Sequence, residues 1–145
     1  MKKLSLYIFL FLFFCSMGWT ESSLSECKGS YHEKWTDCHG IETWENGRKY
    51  DGEFKDGKRH GHGTMTNPDG SAYIGQWKEG LPNGKGTETW KDGTKYIGEY
   101  EKGKKIGYGQ GSLIYPNGIK FIGKFKEGLP MGKGTMLWED GSKHI

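Results

Sequence analysis

The chain has little net charge. Its 145 residues include 21 Lys and Arg against 18 Asp and Glu, which gives a formal charge of +3. Without Lys2 and Lys3, which lie in an apolar leader, 19 of the 21 basic residues remain against 18 acidic ones, a formal charge of +1. Because nucleic-acid binding requires clustered neutralisation of phosphates, this balance argues against a nucleic-acid partner.

The sequence also lacks the motifs that carry catalysis or bind a cofactor. Ser, His and Asp residues occur without a nucleophile elbow or a triad-like context. The Gly-rich segment 107–111 has no Gly-Lys-Ser/Thr ending for phosphate. We interpret His60 and His62 as polar loop residues rather than as a catalytic or metal-binding pair. The sequence therefore predicts no enzyme activity, no cofactor and no metal.

Cysteine is scarce, and only one segment is strongly apolar. Two lysines precede an almost unbroken apolar run, Leu4 to Phe14, and two small residues, Ser16 and Gly18, follow it. This order predicts a secretory signal helix over residues 1–18, cleaved before Trp19. The run is shorter than the ~20 residues that span a bilayer. An uncleaved anchor or a lipid anchor on Cys15 is the alternative. The protein is expected to be exported: periplasmic, secreted or envelope-associated.

Glycine, by contrast, is abundant and recurs at a fixed spacing. Gly52, Gly75, Gly98 and Gly123 follow one another at intervals of 23, 23 and 25 residues. A period of this length indicates a stack of small supersecondary units rather than one globular core. After the leader we therefore place a short linker (19–26), five repeats and a tail (144–145). The repeats span residues 27–49, 50–72, 73–95, 96–120 and 121–143.

The pattern within each repeat predicts one β-hairpin. In the third repeat, Tyr73 and Trp77 fall on one face of a segment that alternates with period two, as in a half-exposed strand. A Gly-, Pro- and Asn-rich segment, 79–84, predicts the hairpin loop, and Asp92-Gly93 predicts the turn into the next repeat. A loop of that length places Tyr73 opposite Trp90.

The hairpins are predicted to form an all-β, single-layer β-solenoid ribbon of five stacked hairpins behind the signal helix. No hairpin is stable alone, so each depends on its neighbours. Aromatic residues form three columns along the ribbon; the second begins at Tyr31, and Asn67 interrupts the third. These rings either form the stacking core or line an open binding face. The candidate residues of that face are Tyr50, Tyr73, Tyr96, Phe121, Trp90, Tyr115 and Trp138.

The segments Tyr73-Ile74-Gly75-Gln76-Trp77 and Pro68-Asp69-Gly70 resemble MORN repeats, strongly over residues 50–143 and more weakly over 27–49. The resemblance implies stacked hairpins that act as a protein-interaction platform or bind phospholipid. The expected function is a non-catalytic, exported scaffold whose partner is a protein or a phospholipid membrane surface. The alternative is a choline- or carbohydrate-binding repeat protein with aromatic cages. A homodimer through the C-terminal edge hairpin also stays open.

The first repeat departs from this pattern at both of its cysteines. Cys27 replaces the first aromatic residue, and Cys38 replaces a glycine. Two cysteines that differ together in an exported chain predict a Cys27–Cys38 disulfide. Because the two positions are not opposite each other in a regular hairpin, the bond requires a distorted repeat. Two free thiols, or a metal site of Cys27, His32, Cys38 and His39, are the alternatives.

Overall fold

The computed structural model describes residues 23–29, 32–105, 110–126 and 129–145. The predicted leader over residues 1–18 and Tyr31 of the second aromatic column lie outside the described residues. The described ranges form an antiparallel all-β sheet, as the sequence predicts, together with one 3-10 helix, His32–Lys34. Among these residues, no helix has both the length and the apolar character needed to cross a membrane.

The described part of the chain contributes eleven strands to one sheet. Each strand pairs antiparallel with the next along the chain, except that β6 pairs with both β7 and β8. The sheet is therefore an open series of consecutive hairpins. Its strands are β1 (Cys38–Thr43), β2 (Lys49–Lys55), β3 (Lys58–Thr66), β4 (Ala72–Lys78), β5 (Leu81–Thr89), β6 (Lys95–Glu101), β7 (Lys104–Lys105), β8 (Gln110–Ile114), β9 (Lys120–Lys126), β10 (Leu129–Leu137) and β11 (Lys143–His144).

Two-residue turns close the hairpins of the second, third and fourth repeats. Glu79 and Gly80 have φ values of 50° and 83°, and the same pair of positive values recurs at Asp56-Gly57 and Lys102-Gly103. A type I′ turn requires φ above zero at both central residues, and its twist matches that of the flanking strands. The loop predicted over residues 79–84 is therefore wrong, because β5 already begins at Leu81.

The short turn also changes the register of the hairpin. Tyr73 lies opposite Glu88, and not opposite Trp90 as the longer loop predicts. A bulge opposite the stretch Gly75 to Trp77 takes up the extra residues of β5. Trp90 follows the strand, and its carbonyl accepts a hydrogen bond from the Gly93 N–H at 2.9 Å. This contact closes the predicted turn into the next repeat.

The first repeat differs from the hairpin that the sequence predicts, since its described residues contribute one strand and a cap. The Cys27 and Cys38 sulfurs lie 2.11 Å apart, at disulfide distance. The Cys27 N–H donates to the His39 carbonyl at 2.8 Å, and the His39 N–H donates to the Ser25 carbonyl at 2.9 Å. Glu26 and His39 form a parallel bridge. This segment therefore covers the outer edge of β1, which would otherwise leave backbone groups unpaired.

The core lies on one face of the sheet, which we call the ladder face. Aromatic rings meet edge to face there, with neighbouring centroids 4.9–5.7 Å apart, a geometry that suits the quadrupole of each ring. Trp35 begins this series beside Phe54. Along the series the rings are Trp35, Phe54, Tyr50, Trp77, Tyr73, Tyr100, Tyr96, Phe125 and Phe121.

Candidate functional site

The seven rings of the predicted binding face divide between the core and its margin. Three of them are buried within the ladder: Tyr50, Tyr73 and Tyr96. The others keep part of their surface exposed: Phe121, Trp90, Tyr115 and Trp138. The buried three serve the stacking core, so the ring surface that a ligand can reach lies mainly near the strand ends.

The surroundings of the buried tyrosines keep their hydroxyl groups neutral. The Tyr73 hydroxyl donates to the Gln76 carbonyl at 3.0 Å, and burial raises the pKa of Tyr73 to about 12. The Tyr50 hydroxyl donates to the Glu53 carbonyl at 3.0 Å, and burial raises the pKa of Tyr50 as well. Burial disfavours the phenolate because it removes the charge from water. These hydroxyls are therefore poorly suited to acid–base chemistry near neutral pH.

Cations of the chain itself lie against rings of the ladder face. The Arg59 guanidinium carbon lies 5.0 Å from the Trp77 ring centroid and 5.6 Å from that of Trp44. The Lys105 Nζ lies 4.1 Å from the Trp90 ring centroid. A cation within about 6 Å of a centroid is attracted by the quadrupole of the ring. These contacts occupy ring surfaces that a quaternary amine would need, which argues against a choline cage at these rings.

Sequence reasoning missed these cations because it placed the residues after each turn in a loop. Arg59 and Lys105 pair with the second aromatic residue of their hairpins. Pro82 and Pro130 take the same place in the third and fifth repeats. The position therefore alternates between a cation and proline along the sheet. The sequence carries this signal in the pairs Lys58-Arg59, Leu81-Pro82, Lys104-Lys105 and Leu129-Pro130.

The opposite face of the sheet carries isoleucines, which we call the isoleucine row: Ile41, Ile74, Ile97 and Ile122. Ile74 is 54% exposed and Ile97 is 44% exposed. Thr87 pairs with both of them, so from Ile74 onward the row crosses the strands with an isoleucine at every second strand. A groove of about 500 Å³ follows this part of the row.

Mostly basic residues flank the isoleucine row. Lys95 and Lys120 each lie two residues before an isoleucine of the row, and side chains two residues apart on a strand share a face. On the other side, Lys85 lies opposite Glu99, and both line the groove. From Ile74 to Ile122 the isoleucine face thus presents an apolar strip with an excess of positive charge at its margins, and Asp51 and Thr64 separate this strip from Ile41.

Several of the residues considered as metal ligands make other contacts. The Cys27 and Cys38 sulfurs lie at disulfide distance from each other. His62 Nδ1 lies 3.8 Å from the Glu53 carboxylate. Across the described ranges, no group of three or more His, Cys, Asp and Glu residues could hold a metal ion.

An open antiparallel sheet of successive hairpins, with a ladder of rings on one face, defines a hairpin-repeat protein. The MORN-repeat family model matches residues 50–72, 73–95, 96–110 and 121–143. The chain belongs to the MORN-repeat family. MORN repeats are non-catalytic binding repeats that generally mediate interactions with proteins or membranes. Comparison with curated proteins gives no match.

Proposed function

We propose that the chain is a non-catalytic, exported interaction module that binds a partner protein across the isoleucine row. The observation that carries this proposal is the exposure of three isoleucines of the row: 52% for Ile41, 54% for Ile74 and 44% for Ile97. Isolated surface isoleucines need no explanation, but contiguous apolar surface marks interaction sites. Membership of a family of binding repeats supports the same function.

The spacing of the isoleucine row favours a helical element in the partner. Neighbouring strands lie about 4.8 Å apart, so isoleucines at every second strand lie about 9.6 Å apart. On an α-helix, residues seven apart lie about 10.5 Å from each other along the axis. A helix laid across the strands would therefore meet one isoleucine with each seventh residue. Lys95 and Lys120 favour acidic residues beside that apolar strip.

Capture from envelope extract, followed by partner identification, tests this proposal. The double variant Ile74→Glu/Ile97→Glu changes only exposed side chains and should lose about tenfold or more of the capture, because it places charge in the apolar strip. Tyr115→Ser, on the ladder face, is the matched control and should capture the partner like the unchanged chain. Equal capture by all three chains would contradict the proposal. Flotation with lipid vesicles without protein capture would instead assign the module to a membrane surface.

Export is the second part of the proposal. The N-terminal leader supports it, and so does the Cys27–Cys38 pair at disulfide distance, because disulfides persist in oxidising compartments. Mass spectrometry of the intact protein recovered outside the cytoplasm tests whether the chain is exported and where its leader is cleaved. A chain that begins at Trp19 supports cleavage, whereas a chain recovered only inside the cell with its leader intact contradicts export. The C-terminal homodimer stays a separate prediction, which light scattering tests.

A further inference from the structure

A cleft interrupts the ladder face at a place where Asn67 and Pro82 replace an aromatic ring and a cation that other repeats carry. Asn67 stands in a turn between repeats, and its side-chain Nδ2 donates to Ser71 Oγ at 2.9 Å. Pro82 stands where Arg59 and Lys105 lie in the adjacent repeats. Asn67 and Pro82 both line a cleft of about 350 Å³. The turns equivalent to that of Asn67 carry a ring instead, at Trp44, Trp90, Tyr115 and Trp138.

Apolar and aromatic side chains line much of the cleft. Met65 and Tyr73, which are 4% and 7% exposed, lie in its lining together with Trp77 and Trp90, whose rings also contact Arg59 and Lys105. A volume of this size lies at the lower end of small-molecule sites. The cleft can therefore take one aromatic ring with a short substituent, in the region where other repeats supply their own ring.

Two arginines give the cleft its positive charge. Arg48 and Arg59 both line it, with guanidinium carbons 5.7 and 5.6 Å from the Trp44 ring centroid. Arg59 Nη2 donates to the Gly80 carbonyl at 2.8 Å, and a guanidinium carries five N–H donors. Burial lowers the pKa of Arg59, and the negative charge of Glu42 acts in the opposite direction. Further negative charge at this guanidinium is therefore favourable.

The carboxylate that lines the cleft already has partners. Glu88 Oε2 lies 3.1 Å from Lys105 Nζ and accepts a hydrogen bond from the Tyr100 hydroxyl at 3.1 Å. Its charge is thus balanced by a lysine, whereas Arg48 of the first repeat and Arg59 of the second repeat also line the cleft. The charge of the cleft favours an anionic ligand over a cationic one.

We propose that this cleft binds a small aromatic carboxylate. The ring of the ligand occupies the space left by Asn67 and Pro82, against Met65 and the neighbouring rings. Its carboxylate pairs with the guanidinium groups of Arg48 and Arg59, whose planar donors match a carboxylate. This site lies on the ladder face and is independent of the partner proposed for the isoleucine row.

Calorimetric titration with N-acetyltryptophan tests the site, with N-acetyltryptophan amide and tryptamine as matched probes. Saturable binding of the carboxylate is expected, with the amide about fivefold weaker or more because it lacks the charge that the arginines recognise. A peptide with an internal tryptophan should behave like the amide. Arg48→Gln, an exposed change, should lower affinity for the carboxylate toward that for the amide.

Asn67→Trp provides the second variant, because it fills the cleft with the ring that other repeats carry. This variant should keep its urea midpoint and lose about tenfold or more of its affinity for N-acetyltryptophan. Tyr115→Trp, which changes a ring elsewhere in the same column, should bind like the unchanged chain. Absence of saturable binding, equal binding of acid and amide, or undiminished binding by the folded Asn67→Trp variant would each overturn the proposal.

Discussion

At the scale of single residues, glycine beneath the rings determines how the ladder packs. Tyr50 is fully buried, and a Cβ added at Gly63 would lie 2.5 Å from its Cζ atom. Gly86 has the same relation to Tyr73, with 2.6 Å to its Cζ atom. Both glycines lie within strands, so the requirement comes from the ring above them and not from a turn. The rings occupy the volume in which any other residue would place its Cβ.

Gly63→Ala should therefore lower the free energy of unfolding by about 1–3 kcal/mol, the usual cost of overpacking a core. Tyr50 cannot move aside without leaving its place between Phe54 and Trp77. Urea unfolding measures the change, with a lower midpoint and an unchanged slope. Thr64→Ala, the next residue on the opposite face, is the control. A change below about 0.5 kcal/mol at Gly63 would show that the ring relaxes.

The pattern of rings and glycines could be predicted from the sequence because both stand at fixed places in the repeat. The contacts of Arg59 and Lys105 with the rings could not be predicted from the sequence. Which ring a long side chain reaches depends on the register of its hairpin, and that register depends on the turn. For the same reason the sequence left open whether Tyr50 and Tyr73 belong to the core or to a binding face.

At the scale of the hairpin, the two-residue turn sets the register of the paired strands and therefore the positions of side chains on both faces of the sheet. Lys102 and Gly103 have φ values of 48° and 78°. A lysine in the left-handed region is unfavourable because its Cβ approaches the following carbonyl. Asparagine visits this region more readily, and Asn-Gly is a preferred type I′ pair. The turn of the fourth repeat is therefore formed by a residue that suits it poorly.

Lys102→Asn should raise the free energy of unfolding by about 0.5 kcal/mol or more, because the new residue suits the turn better. Lys102→Val should lower it, since a β-branched residue suits positive φ least. Thermal or urea unfolding of the two variants and of the unchanged chain gives the order of their stabilities. Lys104→Asn removes the same charge from the following strand and should bring no gain. A gain of equal size at Lys104 would assign the effect to charge.

The segment 79–84 shows why composition did not identify the turn. Gly, Pro and Asn are typical of loops, but here only Glu79 and Gly80 form the turn, and Pro82 pairs with Trp77 in the ladder. The Pro82 carbonyl accepts a hydrogen bond from the Gly103 N–H at 2.8 Å, a role that needs no donor from proline. A bulge uses the same residue types as a loop, so only the paired strands distinguish them.

At the scale of the whole molecule, one series of ring contacts links successive repeats from Trp35 to Phe121. The period and the alternation in the sequence sufficed to predict an antiparallel sheet of hairpins. They could not define the contact surfaces, because exposure of the isoleucine row and the cleft at Asn67 follow from the register across several strands. Binding specificity therefore depends on positions where the repeats differ.

The ladder makes the stability of the whole sheet sensitive to alkali. Burial raises the pKa of Tyr73 to about 12 and also raises that of Tyr50 and Tyr100, while an unfolded tyrosine titrates near pH 10. Since the folded pKa lies above the unfolded value, this contribution to stability is complete below about pH 10 and declines as the pH rises toward about 12.

Urea midpoints measured across that range should fall, and tyrosinate absorbance should rise together with the loss of structure. Tyr73→Phe should flatten the decline, since it removes one of the titrating groups but keeps the ring. Complete titration of all tyrosines near pH 10 in a chain that stays folded would contradict this account of the ladder.

The alternation of a cation and proline after successive turns has a consequence for how the array can be lengthened. Arg59 and Lys105 mark the second and fourth repeats, whereas Pro82 and Pro130 mark the third and fifth. A block of two hairpins is therefore the structural unit that contains both kinds of junction. An array lengthened by such a block keeps every cation beside its ring. An array lengthened by one hairpin would place two junctions of the same kind side by side.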